Sequence, residues 1–105
     1  MSHVSTHVLD SGTGLPAAGI AVTLAHLTGQ VVGTGATDSD GRVGDIGPDE
    51  LAPGEYALTF ATGDYFVGRP AFYPQVTVAF TVDGPGHLHV PLLLSAFAYS
   101  TYRGS

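Results

Sequence analysis

Apolar and polar residues alternate in short runs along most of the chain, and this alternation predicts β-strands. The first three runs are residues 3–10, 19–26 and 30–37. In the second run Ile20, Val22 and Leu24 share one face, because successive side chains of a strand point to opposite sides. Glycine and proline interrupt the runs, so short strands are favoured over long helices.

Residues 37–42 (Thr-Asp-Ser-Asp-Gly-Arg) predict a turn. Aspartate side chains bond to nearby backbone N–H groups, and Gly41 supplies the positive φ that a tight turn needs. Because the chain would then return through Val43, the simplest interpretation is a hairpin between the third run and the residues after the turn.

The second half of the chain predicts further strands and one short helix. Its apolar runs are residues 54–62, 76–82 and 87–94. The first of them places Tyr56, Leu58 and Phe60 on one buried face. Residues 63–74 lose the period of two and contain glycine and proline, which predicts only a brief helical turn. Seven or eight strands at this spacing are typical of an all-β sandwich or barrel, and we favour the sandwich.

Composition indicates one domain, residues 1–105. It also indicates that part of the apolar surface of this domain is buried against a partner. Charged residues make up 11% of the chain and hydrophobic residues 44%, whereas an average soluble domain is roughly 25% charged. Residues 90–94 are apolar at consecutive positions, so both faces of that strand need a partner. We expect the core on one face and another subunit on the other, since no apolar run approaches the roughly 20 residues that cross a bilayer.

The charge balance excludes several partners. The formal net charge is −6, the three basic residues are all arginines, and there is no cysteine. A chain this acidic has no electrostatic footprint for nucleic acid or for an anionic membrane, so neither partner is expected. The first four residues lack the basic segment of a signal peptide, and a cytoplasmic protein is expected.

Histidines supply the strongest chemical signal. His87 and His89 are two apart on a predicted strand, so their rings share a face, and His7 lies on the polar face of the first run. Such a pattern suits acid–base or metal chemistry, although a His-x-His pair alone is more often solvated or structural. His3 and His26 are expected at the surface with no role.

Arg42 follows the predicted turn, where a solvated guanidinium is the plain interpretation. In a chain without lysine it is equally a candidate clamp for a carbonyl-rich or anionic ligand.

Four segments carry a resemblance to a known family. The most specific is residues 102–105 (Tyr-Arg-Gly-Ser), which follow Pro-Leu-Leu-Leu-Ser at 91–95 and Tyr-Ser-Thr at 99–101. The other segments, in the family's order, are residues 5–10, 37–42 and 62–66. Together they closely resemble the 5-hydroxyisourate hydrolases of the transthyretin-like family, whereas transthyretin itself lacks the terminal tetrapeptide and the histidine and arginine positions. The chain departs from the usual hydrolase pattern at Leu88, Ala96 and Ala98, which affects local shape only.

The resemblance implies a transthyretin-like sandwich of two four-stranded sheets with one short helix, assembled as a homotetramer with active sites between subunits. It implies no cofactor and no metal. The catalytic residues it implies are His7, Arg42, His89 and Ser105, and the implied substrate-binding residues are His7, Arg42, Tyr102 and Ser105. His87 occupies a supporting position.

The implied reaction is hydrolysis of 5-hydroxyisourate to 2-oxo-4-hydroxy-4-carboxy-5-ureidoimidazoline in urate degradation. Without cysteine or a nucleophile elbow, direct attack by water is expected, with the His7 and His89 pair as general acid and base. Arg42 would stabilise the oxyanion and Ser105 would hold the substrate or the water, so a C-terminal tag is expected to harm activity. Which histidine takes the proton stays open.

Two other functions remain open at this point. One is a non-catalytic small-ligand binding module of the transthyretin type. The other is a zinc hydrolase with His7, His87 and His89 as ligands and an open fourth position.

Overall fold

The alternating runs form strands in the computed structural model, which describes residues 2–105. The elements, in chain order, are β1 (Val4–Asp10), β2 (Leu15–Pro16), β3 (Ala21–His26), β4 (Val31–Ala36), β5 (Arg42–Ile46), β6 (Gly54–Phe60), α1 (Thr62–Tyr65), β7 (Val76–Val82), β8 (Leu88–Leu94) and β9 (Tyr99–Thr101). The predicted strands and the brief helix are all present. Strand β9 was not predicted, because its three residues are too short for a period to register.

The strands form two sheets. One has the order β4-β3-β6-β7, and the other contains β2, β1, β8 and β9 in that order, with β5 also paired to β1. Strands β1 and β8 run parallel, while the other neighbouring pairs run antiparallel. The all-β fold with two sheets and one short helix is confirmed. The expected four-plus-four strand count becomes five-plus-four, because two residues of the loop after β1 pair back onto its end as β2.

The core lies between the sheets and uses the faces that the alternation predicted. Tyr56, Leu58 and Phe60 are at most 1% exposed, and so are the three apolar residues predicted for the second run. The Tyr56 hydroxyl donates to the Ala52 carbonyl at 2.6 Å, which satisfies the polar end of a buried ring. Burial of each such side chain contributes roughly 1.5–3 kcal/mol.

The hairpin predicted around residues 37–42 is wrong, although the turn itself is present. Strand β4 pairs with β3, whereas β5 pairs with β1 in the opposite sheet. The buried Thr37 hydroxyl accepts from the Ile20 N–H at 2.9 Å and donates to the Ala17 carbonyl at 2.7 Å. These bonds fasten the end of β4 beside the start of β3, and the chain crosses from one sheet to the other as Val43 enters the core.

The expected surface placement of the two unassigned histidines is wrong for His3 and only partly right for His26. His3 is 2% exposed, because the loop before β6 covers it and the Leu51 N–H donates to its Nδ1 at 2.9 Å. His26 is half-buried, with its ring centroid 4.7 Å from that of Tyr56. Periodicity reports which face of a strand a residue occupies, but not whether a loop covers that face.

The apolar C-terminal block forms β8, a central strand. Val90, Leu92 and Leu94 enter the core as predicted, while Leu93 lies half-buried on the opposite face. The subunit expected against that second face stays a prediction. Within residues 2–105 no helix is long and apolar enough to span a membrane.

Gly41 offers a test of the crossing turn. Its φ is +76°, and a Cβ there would overlap the Val8 carbonyl oxygen of β1. We expect Gly41→Ala to lower the free energy of unfolding by about 2–5 kcal/mol, the sum of a left-handed backbone cost and an overpacking cost.

The matched control is Gly14→Ala, because Gly14 has a φ of +77° but open space where a Cβ would lie. It should cost only about 1–2 kcal/mol. Urea denaturation at equal protein concentrations measures both variants, and equal losses would show that the turn is not packed against β1 as described.

Candidate active site

The outer face of the five-stranded sheet gathers most of the predicted side chains. The parallel register of β1 and β8 places Ser5 opposite His89, and the antiparallel register of β1 and β5 places His7 opposite Arg42. Residues two apart on a strand share a face, so His87 joins the same group. Three strands therefore converge on one polar patch.

A pocket of about 330 Å³ opens on this patch, lined by Ser5, Thr6, Arg42, Gly44, His87, His89 and Ser105. It contains three of the four predicted catalytic residues, and the fourth, His7, lies beside Arg42. The C-terminal segment reaches the pocket because the Gly104 N–H donates to the His89 carbonyl at 2.8 Å. A Cβ on Gly104 would lie 2.7 Å from His89 Cδ2, so only glycine allows this approach.

The turn before β5 orients both Arg42 and His7. One carboxylate oxygen of Asp38 accepts from the Asp40 N–H at 2.9 Å and from the Arg42 N–H at 3.0 Å. The bond from Arg42 is the largest cause that lowers the pKa of Asp38, so this carboxylate stays ionised. His7 Nε2 donates to the Asp40 carbonyl at 2.9 Å, which ties the ring to the same turn.

That bond also sets the protonation of the His7 ring. A carbonyl oxygen can only accept, so the proton must sit on Nε2. In the neutral ring Nδ1 is therefore the free acceptor.

His89 is the group best suited to act as a base. It is half-buried, and burial lowers its pKa below the ordinary value. Repulsion by any positive charge on His7, Arg42 or His87 lowers this pKa further. At neutral pH the ring is therefore uncharged and able to take a proton.

Ser5 is a residue of this site that the sequence did not single out. Its hydroxyl lies 2.8 Å from His87 Nε2 and 2.8 Å from His89 Nδ1. Ser5 is two residues before His7 in the first run, so alternation places both on the same polar face. What it could not supply was the parallel pairing of β1 with β8, two segments more than 80 residues apart in sequence.

The structure places Tyr102 elsewhere. It lines a second cavity of about 400 Å³, which is bounded chiefly by residues of β7, β8 and the segment 101–103 and which shares His89 with the first pocket. The side chain is 59% exposed. Its predicted substrate-binding role is therefore not supported by the first pocket and stays a prediction.

The three histidines do not form the ligand set of a zinc site. Both ring nitrogens of His87 are engaged, Nδ1 with the Ser2 carbonyl at 2.9 Å and Nε2 with Ser5. Among residues 2–105, no group of three His, Cys, Asp or Glu side chains is arranged to hold a metal ion. Within the part of the chain that the structure describes, the geometry thus does not support the three-histidine zinc hypothesis.

The patch combines a neutral imidazole, a guanidinium and hydroxyl groups around a pocket of small-molecule size. A neutral imidazole can take a proton from water, and a guanidinium can stabilise a developing oxyanion. Such a set suits acyl transfer from a carbonyl-rich substrate to water.

Comparison with known proteins gives a consistent result. The sequence model of the HIUase/Transthyretin family matches residues 4–104. The 5-hydroxyisourate hydrolase of Mesorhizobium japonicum is 44% identical over 113 residues, covering 97% of this chain and 91% of that protein. The solved structure of Klebsiella pneumoniae 5-hydroxyisourate hydrolase has a TM-score of 0.90 at 36% identity and covers 100% of this chain and 94% of that one.

The crystal structure of transthyretin from Sparus aurata has nearly the same backbone. Its TM-score is 0.89 at 27% identity, covering 99% of this chain and 97% of that one. The backbone alone therefore does not distinguish a 5-hydroxyisourate hydrolase from a transthyretin. The distinction has to come from the side chains of the pocket.

The lowered pKa of His89 can be tested by NMR titration of histidine ring signals. We expect His89 to titrate below the ordinary imidazole value of about 6.5, and we expect Arg42→Gln to raise its pKa because one neighbouring positive charge is lost. The control is Arg69→Gln, since Arg69 lies over the Tyr65 and Phe66 rings and should leave His89 unchanged. Titration of His89 above 6.5, or equal shifts in both variants, would contradict the electrostatics described.

Proposed function

The chain belongs to the HIUase/Transthyretin family, and we propose that it is of the hydrolase kind, converting 5-hydroxyisourate to 2-oxo-4-hydroxy-4-carboxy-5-ureidoimidazoline in urate degradation. One observation carries the proposal: Arg42, His89 and Ser105 line a single pocket, with His7 beside them. A carrier of small ligands has no need for a neutral base next to a guanidinium. The full-length similarity to 5-hydroxyisourate hydrolases supports the same conclusion.

The reaction is the opening of a cyclic amide. Water adds to the ring carbonyl, the bond from that carbon to the ring nitrogen breaks, and the nitrogen takes up a proton as the carboxylate forms. Two proton transfers are thus needed, one from the water and one to the leaving nitrogen.

His89 is the general base of this proposal. Its lowered pKa keeps the ring neutral at neutral pH, so it is ready to take the proton of the attacking water. The rate should therefore fall with acid only once the pH drops through that lowered pKa. His7, held to the Asp40 carbonyl through Nε2, can orient the substrate when it is neutral, and it can protonate the leaving nitrogen through Nδ1 only when its ring carries a second proton.

Arg42 interacts with the carbonyl oxygen of the substrate in this proposal. Its backbone is fixed through Asp38, and its guanidinium can pair with the oxyanion that forms when water adds. Such stabilisation is worth about 3 kcal/mol in sites of this kind. Ser105, on the rim of the same pocket, would hold the substrate or the water.

The assembly we propose is a homotetramer with active sites between subunits. Several large apolar side chains are exposed on the single chain, among them Phe97, Tyr99 and Tyr102 near the C-terminus. Apolar groups in such number favour contact with another subunit. The pocket is also open on the face of a sheet, where a neighbouring subunit could complete its walls. The single-domain organisation, cytoplasmic location and lack of a cofactor remain predictions from the sequence.

Light scattering during size-exclusion chromatography tests the assembly. We expect a mass four times that of one chain, and we expect specific activity to fall when dilution dissociates the subunits. A monomer with full specific activity would contradict the placement of the sites between subunits.

The second candidate function is small-ligand binding without turnover. The likeness to Sparus aurata transthyretin favours it, because that backbone is matched almost as well as the hydrolase backbone. It would leave the histidines and Arg42 without a chemical role.

A direct assay separates the two functions. When 5-hydroxyisourate is generated from urate by urate oxidase, we expect the protein to accelerate its ultraviolet decay. We expect His89→Gln to lower kcat by roughly 10²–10⁴, the usual contribution of a general base. His26→Gln is the control, since His26 is half-buried on the other sheet.

A sample treated with EDTA belongs in the same assay. Activity that survives EDTA but is lost in His89→Gln supports the proposed mechanism. The absence of any acceleration by a folded protein would leave the binding module, and loss of activity with EDTA would restore a metal to the mechanism.

A further inference from the structure

Three side chains of the outer face form a continuous hydrogen-bonded chain. His87 Nδ1 lies 2.9 Å from the Ser2 carbonyl oxygen, and His87 Nε2 lies 2.8 Å from the Ser5 hydroxyl. The same hydroxyl lies 2.8 Å from His89 Nδ1. Neither Ser5 nor His87 belongs to the catalytic set proposed above, so their role needs a separate explanation.

The direction of the first bond is fixed by its acceptor. A backbone carbonyl cannot donate, so His87 Nδ1 must carry a proton. In the neutral ring the other nitrogen, Nε2, is then an acceptor only.

The protonation of His87 then determines which group donates in the hydrogen bond between Ser5 and His89. Ser5 has one O–H to give, and His87 Nε2 can only accept it. The Ser5 oxygen therefore faces His89 Nδ1 with a lone pair, so the short contact is a hydrogen bond only if Nδ1 is protonated. A neutral His89 consequently keeps its proton on Nδ1 and a free lone pair on Nε2.

We propose that Ser5 and His87 are positioning residues that hold His89 in the tautomer with Nδ1 protonated, so that Nε2 is the atom that accepts the proton of water. The inference rests on the proposed function in taking His89 as the base. It identifies Ser5 and His87 as the groups that determine which nitrogen of His89 is basic. The sequence and the lining of the pocket do not determine this.

The chain is anchored at an end that is itself held in place. Ser2 is 2% exposed, and its hydroxyl donates to the Asp45 carboxylate at 2.6 Å while lying 3.1 Å from the Gly47 carbonyl oxygen. The His3 N–H donates to the Pro48 carbonyl at 3.1 Å. These bonds fix the backbone around Ser2. The Ser2 carbonyl oxygen is therefore held in place to accept the hydrogen bond from His87 Nδ1.

Removal of either Ser5 or the His87 acceptor abolishes the preference of neutral His89 for a proton on Nδ1. Without the acceptor of His87, the Ser5 hydroxyl becomes free to donate to His89 Nδ1. The His89 tautomer that accepts this hydrogen bond at Nδ1 carries its proton on Nε2. Its Nε2 can therefore no longer take a proton from water. Removal of the hydroxyl itself leaves His89 Nδ1 without its partner, and the two tautomers mix.

The tautomer can be observed directly by NMR of protein labelled with ¹⁵N in its histidine rings, at about pH 8, above the ordinary imidazole pKa. The His89 signals are assigned by their loss in His89→Gln. We expect Nδ1 protonated and Nε2 unprotonated in the wild type and in His87→Gln, whose side-chain carbonyl can accept from Ser5. In His87→Ala and Ser5→Ala we expect protonation of Nε2 to appear.

Kinetics provide the second readout. We expect Ser5→Ala to lower kcat roughly tenfold or more with a smaller change in KM, because the base is weakened while Arg42 and Ser105 still line the pocket. Ser5→Thr keeps the hydroxyl and should restore both the tautomer and kcat. A purely structural role for Ser5 predicts a change in stability without a change of tautomer.

The outcomes separate this inference from the function on which it rests. A wild type that turns over 5-hydroxyisourate but shows His89 protonated on Nε2 would overturn the inference and leave the function standing. The same holds if folded Ser5→Ala and His87→Ala keep the wild-type tautomer and kcat. The expected tautomer in a protein without turnover would instead overturn the function alone.

Discussion

The parallel pairing of β1 with β8 is the constraint on which the site depends. Seven residue pairs, from Val4 opposite Leu88 to Asp10 opposite Leu94, hold the first and last long strands side by side. A slip of one residue would turn every side chain to the other face, exchanging core residues for histidines. The same register that places Val8 and Leu92 in the core therefore sets Ser5 against His89 on the outside.

Residues 37–42 supply the other half of the geometry. Buried Thr37 secures the point at which the chain leaves one sheet, and Asp38 fixes the backbone of Arg42 as it enters the other. The Asp40 carbonyl then binds His7. One crossing turn thus positions both a guanidinium and an imidazole, and the Asp38 carboxylate has a structural role even though it lies within a few residues of the chemistry.

Most of the strands and the core faces could be predicted from the sequence. The features that could not be predicted have physical causes. Alternation located the strands and core faces such as Tyr56, Leu58 and Phe60, since burial on one side leaves a period of two. The hairpin after β4 was wrong because local turn chemistry does not reveal which sheet the next strand joins. Ser5 was missed for a related reason, as its partners come from a strand at the far end of the chain, and His3 is covered by a loop that has no periodic pattern.

In the proposed reaction the polar pocket on the outer face, and not the larger cavity beside β7, receives the substrate. Titration of ¹⁵N-labelled protein with urate, the stable purine from which the unstable substrate is made, tests this most directly. We predict shifts of the backbone amides of Arg42, Gly44 and Ser105, which belong to the outer pocket only. Shifts confined to Phe80 and Tyr102, which line the other cavity, would contradict the claim.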